Sequence, residues 1–205
     1  ILDHYQLGEI WWHELKFNKH DCVKINDRFD LNCFADIQLC PILTLNETPY
    51  LNNRNRRDLV GPEYVLLSNN WRRINLFSKK HKTLIEVPET LNISFGLVDR
   101  FDALSNIIDQ LLEVEELRKL RINCFVGSKS DNFYKIKKII GNQVGNWALH
   151  TDIYDLSKSY EKPAISIGAG GVSSLERCCA GHPSINFPLI KNQILNVKSL
   201  AHHKA

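Results

Sequence analysis

Apolar residues in this chain come in short runs, and their spacing switches repeatedly between a strand-like and a helix-like period. The switching is clearest after residue 90. There "LNISFG" (91–96), "RINCFVG" (121–127), "NWALHT" (146–151), "PAISIGAGG" (163–171) and "SINFPL" (184–189) each read as a strand. Between them, "FDALSNIIDQLLEVEEL" (101–117), "NFYKIKKII" (132–140), "IYDLSKSY" (153–160) and "SSLERCCAG" (173–181) read as helices. Strands and helices in strict alternation predict a parallel sheet covered by helices on both faces. The first half is less regular. Residues 1–7 read as the end of a buried strand running into a loop with Asp3, His4 and Tyr5. Residues 9–15 suit a short helix with Ile10, Trp11 and Leu15 on one face. "CVKIND" (22–27) and "ADIQLCPIL" (35–43) read as strands, and "GPEYVLLS" (61–68) as a turn followed by an apolar run. The charged stretch 79–90, with one proline, reads as a linker.

Composition narrows the function classes. The 205 residues are 43% hydrophobic, enough for a sizeable core, and the formal net charge of +3 is too small and dispersed to argue for nucleic acid. The densest basic stretch, "NNRNRRDLV" (52–60), reads as a solvated loop. No apolar run approaches the roughly 18 residues that span a membrane, and no signal-peptide layout opens the chain. A cytoplasmic protein with no membrane partner is expected. Its six cysteines lack metal-type spacing and are expected to be reduced core thiols. No metal motif is visible, and the His202–His203 pair is read as inert. There is no Met, and the opening "ILDHY" looks cut within a strand, so a fragment is expected.

Candidate chemistry gathers where strands end. Gly96, Gly127 and Gly168 close three of them, and ligands of open parallel sheets bind beyond strand carboxyl ends. The chain then runs Ala169-Gly170-Gly171-Val172-Ser173-Ser174 into a helix. Such a turn presents backbone N–H groups and the positive end of a helix dipole, which suits a diphosphate; equally it is a strand–helix corner capped by Ser173 or Ser174. Glu176 in the first helical turn either gains from the dipole or accepts hydrogen bonds from a ribose diol. Asn192 and Gln193 follow another strand and either bind sugar hydroxyls or cap the next helix. Asp27 and Asp99 are edge-of-strand acids that could instead cap helices. The tryptophans Trp11, Trp12, Trp71 and Trp147 read as packing residues.

The run "ISIGAGGVSSLERCCAGHPSINFPLIKNQ" (165–193) resembles the hydrolases of pseudaminic acid biosynthesis that remove UDP from a 2,4-diacetamido-2,4,6-trideoxy sugar. Gly168, Ala169, Gly170, Gly171, Ser174, Glu176, Arg177, Cys178, Cys179, Gly181, Pro183, Ser184, Asn192 and Gln193 carry the match. "LDHYQL" (2–7), "INDRFD" (25–30), "GPEYVLL" (61–67) and "ISFGLVD" (93–99) are similar to further segments of that family in the same order. The resemblance implies two Rossmann-like domains of GT-B type, as in the peptidoglycan N-acetylglucosaminyltransferase. It places the later half of an incomplete N-terminal domain at 1–78 and a UDP-binding domain at 91–205. It also implies UDP or a UDP-linked sugar as partner, no cofactor, and Tyr5 facing the sugar. Gly96, Gly168, Ala169, Gly170, Gly171, Ser174 and Glu176 would hold the nucleotide, and Asn192 and Gln193 the sugar. The family's water-activating histidine belongs to a glycine-rich loop that this chain does not contain, and His4 is in another motif. Leu97 and Val98 depart from the family's small residues before Asp99. A non-catalytic nucleotide-sugar-binding module and a GT-B glycosyltransferase are the alternative functions.

Overall fold

The computed structural model describes residues 1–3, 7, 9–18, 20–27, 33–42, 57–81, 88–143 and 146–203. They divide into two compact units, one of residues 1–66 with 190–205 and one of residues 67–189.

The smaller unit contains the parallel strands β1 (Val23–Ile25), β2 (Ile37–Cys40) and β3 (Arg57–Val60), in that spatial order. Leu2 bridges to Lys24, so the apolar start of the chain does join the sheet. Strand β3 is a correction to the loop expected at 52–60: residues 57–60 pair in register with β2, and 52–56 lie outside the described residues. Four residues with one partner strand carry too little periodicity to announce themselves. Helix α1 (Glu9–Phe17) turns Trp12 and Leu15 onto Cys22, Cys33 and Ala35. The expected face fails at two positions, since Ile10 is 82% and Trp11 54% exposed. Leu15 has neighbours three and four residues back, and it is Trp12 and not Trp11 that joins it in the cluster. A last helix, α6 (Lys191–His202), belongs to this unit and buries Asn196, Ser199 and Leu200.

The larger unit is built on five parallel strands: β4 (Thr90–Ser94), β5 (Arg121–Val126), β6 (Trp147–Thr151), β7 (Ile165–Ala169) and β8 (Ser184–Phe187). Their spatial order is β6-β5-β4-β7-β8. Helices α3 (Ala103–Leu112) and α4 (Phe133–Gly141) place Leu104, Ile108, Ile136 and Ile140 against Leu91, Ile93, Ile122, Cys124, Val126 and Ile167. That spacing of four residues makes one apolar stripe per helix. On the other face lie α2 (Asn69–His81), a 3-10 turn (Ser157–Tyr160) and α5 (Val172–Ala180), with Trp71, Ile74, Tyr160 and Ala180 as their shared core. Gly181, at φ 72°, stops α5: the His182 amide donates back to Arg177 O at 3.2 Å.

Two expectations differ from this arrangement. Helix α2 begins at 69 and packs with α5, so the boundary falls near 66 and not at 78; the charged run from 79 opens as the end of this helix. Of the linker, residues 82–87 lie outside the described residues. The helix expected at 153–160 is only its last turn. Ile153 and Tyr154 are exposed, and the Asp155 carboxylate accepts the Ser157 amide at 2.9 Å, a local turn that competes with helix.

Candidate functional site

Strand order locates the crevice of the larger unit. From central β4 the chain steps outward to β5 and β6, then returns to the opposite side of β4 for β7 and β8. The segment after β4 therefore departs to the α3 face and that after β7 to the α5 face. Open parallel sheets bind ligands between two such diverging segments. Gly96 lies in the first and Gly170–Ser174 in the second, so the fold brings these expected residues to one edge.

On the β4 side, Gly96 has φ 92°, a conformation that favours glycine, and a Cβ added there would meet nothing within 4 Å. The next two residues are tightly held. The Gly127 amide donates to Leu97 O at 2.8 Å and Ser130 Oγ to Val98 O at 2.8 Å. Gly127 is glycine for close packing, since its Cβ would sit 2.6 Å from Leu97 O. Leu97 is half-buried and Val98 is exposed at the rim. Buried Asp99 accepts the amides of Ala103 at 3.0 Å and Leu104 at 3.2 Å, so it caps α3. Burial pushes its carboxyl above the ordinary carboxylate range, against the pull of those two amides.

On the β7 side the five corner residues have different situations. Gly168 is buried inside the strand, and a Cβ there would lie 2.3 Å from Ser94 O and 2.8 Å from Arg177 Nη1. It is a packing glycine. Ala169 O accepts from Arg177 Nη2 at 2.6 Å, and the Gly170 amide donates to Phe187 O at 2.8 Å. Gly171 is the N-cap residue of α5, and its carbonyl accepts both the Ser174 amide (3.0 Å) and the Ser174 hydroxyl (2.6 Å). Ser174 is thus a buried tie within the first turn. One amide expected for a ligand, that of Gly170, is taken by the neighbouring strand. The first-turn amides of α5, at Val172 and Ser173, lack intrahelical acceptors because every helix start does.

Glu176 is half-buried, with the Ser173 and Trp71 side chains close to it. Burial pushes its carboxyl above the usual range; nearby Arg177 opposes this and Asp155 adds to it. Trp71, expected to be a packing residue, is buried against Tyr160 and also lies near this carboxylate. Arg177 carries part of the family match but no expected role, and it is 1% exposed. The clue was its position on α5, three residues after Ser174, on a face that also buries Ser174 and Ala180.

The remaining expected site residues lie elsewhere. Asn192 and Gln193 open α6 and belong to the smaller unit, not to the unit holding Gly96 and Glu176. There Asn192 Nδ2 donates to Asp27 Oδ2 at 2.9 Å and the Gln193 amide to Ile190 O at 3.0 Å. Asn26 Nδ2 donates to buried Gln38, whose own amide reaches Asp58. The Asn192–Asp27 bond ties α6 to the end of β1, and the Asn26–Gln38–Asp58 chain crosses the three strands. Tyr5 and His4 lie outside the described residues.

No protein-family model matches the chain, and no curated protein matches it. Among solved structures, MurG of Acinetobacter baumannii is similar over 95% of this chain and 55% of its own, with a TM-score of 0.59 at 16% identity. The chain thus spans about half the length of that protein. A family 9 glycosyl transferase from Veillonella parvula (TM-score 0.33, 12% identity, 85% of this chain and 59% of its own) is a weaker likeness. So is WaaG, a glycosyltransferase involved in lipopolysaccharide biosynthesis (TM-score 0.36, 11% identity, 92% and 71%). At these identities the likeness to MurG speaks to the fold, which is α/β and GT-B-like with Rossmann-like parallel sheets. No helix among the described residues is long and apolar enough to cross a membrane.

Proposed function

We propose that the protein handles a UDP-linked sugar and, by its resemblance to the diacetamido-sugar hydrolases, releases UDP from it with water. The diphosphate sits at the start of α5, across the crevice from Gly96, with Glu176 on the ribose. The observation that carries this reading is the placement of Gly96 and the Gly170–Ser174 corner on either side of the chain reversal between β4 and β7. The first amides of α5, at Val172 and Ser173, have no acceptor within the helix, and the open space over Gly96 admits a ligand. No bound cofactor is called for.

Binding without turnover is the second reading. It draws on the Glu176 carboxylate, which already has the Trp71 and Ser173 side chains beside it, and on the apolar Leu97 and Val98 at the rim. Calorimetry with UDP, followed by an assay for UDP released from the diacetamido UDP-sugar, tests both. UDP should bind, and Glu176→Ala should weaken it roughly 10–100-fold, as expected for loss of a charged hydrogen-bond acceptor. UDP binding indifferent to Glu176→Ala would remove the ribose assignment. Binding with no release under any condition would leave the non-catalytic reading.

A further inference from the structure

Beneath the β7–α5 corner the larger unit buries a cation that no described carboxylate touches. Arg177 is 1% exposed. Its Nη2 donates to Ala169 O and to Asn186 Oδ1, both at 2.6 Å. Both partners are formally neutral. Its Nε has no acceptor among the described residues, and no described carboxylate forms an ion pair with it within 4.0 Å. Glu176, the next residue, offsets part of the charge from a distance without pairing.

An arginine cannot shed its proton to escape burial, so an unpaired guanidinium in a low-dielectric interior is costly unless something nearby offsets its charge. Simple packing would be met by an apolar residue of similar volume. The place of this charge is informative. It holds the last carbonyl before the corner, and chain geometry sets it within about 10 Å of the first amides of α5. Gly168, Gly170 and Ser174 along that stretch are buried. A charge so placed acts at that range with little screening.

We propose that Arg177 is a positioning residue for an anion: it supplies a fixed counter-charge to the ligand's diphosphate without touching it, and ties down the Ala169 carbonyl at the edge of the site. This rests on the nucleotide reading above and deepens it, because the corner then selects its ligand by phosphate charge. Nucleoside diphosphates should bind far better than the bare nucleoside.

Asn186→Asp is the discriminating substitution. It replaces one oxygen acceptor of Arg177 by a carboxylate of the same shape, neutralising the cation in place. Ser184 Oγ, which accepts from Asn186 Nδ2 at 3.0 Å, can turn and donate. If Arg177 is merely structural, a new buried ion pair leaves binding unchanged. On the proposal, the melting temperature holds or rises, UDP affinity falls about tenfold or more, and uridine affinity does not move. Unchanged UDP affinity in a folded Asn186→Asp protein overturns the proposal. Should that variant fail to fold, Arg177→Lys and Arg177→Met decide: Lys, which keeps the charge, should retain most of the UDP affinity lost by Met, and equal affinities overturn the proposal. Failure of the unaltered protein to bind UDP overturns the nucleotide reading itself and this proposal with it.

Discussion

The five-stranded sheet has two faces, and they are built on different principles. Toward α3 and α4 it presents Leu91, Ile93, Ile122, Cys124, Val126 and Ile167, all aliphatic or thiol and all buried. Toward α5 and the 3-10 turn it presents polar residues from the same strands. Asn92 Nδ2 donates to Ser159 O at 2.9 Å, Asn123 Nδ2 to Asn92 Oδ1 at 3.0 Å, and His150 Nε2 meets Asn123 Oδ1 at 3.0 Å. Ser166 pairs in register with Asn92, and Gly168 admits Arg177. The aliphatic face holds the unit together by area removed from water. The polar face depends on hydrogen bonds made one by one, each of which fixes a position. The helix that covers the polar face is the one whose start forms the candidate anion site. A non-directional core supplies stability, and a directional one supplies placement.

The comparison can be broken most severely from the aliphatic side. Ile93→Ala should cost about 2–5 kcal/mol, the usual range for emptying a fully buried aliphatic position, read as a shift in denaturant midpoint with unchanged slope. A cost below about 1 kcal/mol would mean that this face is not the main store of stability. On the polar side, Asn92→Leu should cost about 1–3 kcal/mol, because it strands the Ser159 carbonyl and the Asn123 amide. Stabilisation by this substitution would show the polar layer to be dispensable for folding.

The smallest effect concerns His182, packed on Tyr160 at 4.9 Å beside the same layer. Burial pulls its pKa down to about 4 from 6.5. The unfolded chain therefore binds the extra proton first, and the histidine's contribution is present above about pH 6.5 and lost as pH falls toward 4. Partial solvent access holds this to about 1 kcal/mol. Glu176 and Asp99 have raised values and drift the opposite way, so the comparison is wild type against His182→Gln. Melting curves of the two proteins should diverge on acidification, and parallel curves would show that His182 is hydrated.

Much of the larger unit was legible along the chain because its elements announce themselves locally. β5 is a six-residue strand that ends in three buried apolar residues, and α3 repeats its apolar positions at helical spacing. The corner Gly168–Ser174 was legible from its glycines, although only geometry distinguishes packing Gly168 from Gly96 with open space above it. Asp99 carried two readings in the sequence, and the α3 amides decide for the cap. Helix α2 was missed because Trp71 and Ile74 are its only buried described residues amid charge, and β3 because its pairing partner is distant in sequence.

Residue order alone determined the α/β alternation, the strand ends and the glycine corner, since each depends on interactions within a few residues. Only the tertiary structure decided that α6 carries Asn192 and Gln193 into the smaller unit, that Trp71 lies near Glu176, and that Arg177 is buried with no described carboxylate in contact. These are contacts between segments far apart in the chain. Local pattern does not encode them, because burial and pairing depend on which surfaces meet after the chain has closed on itself.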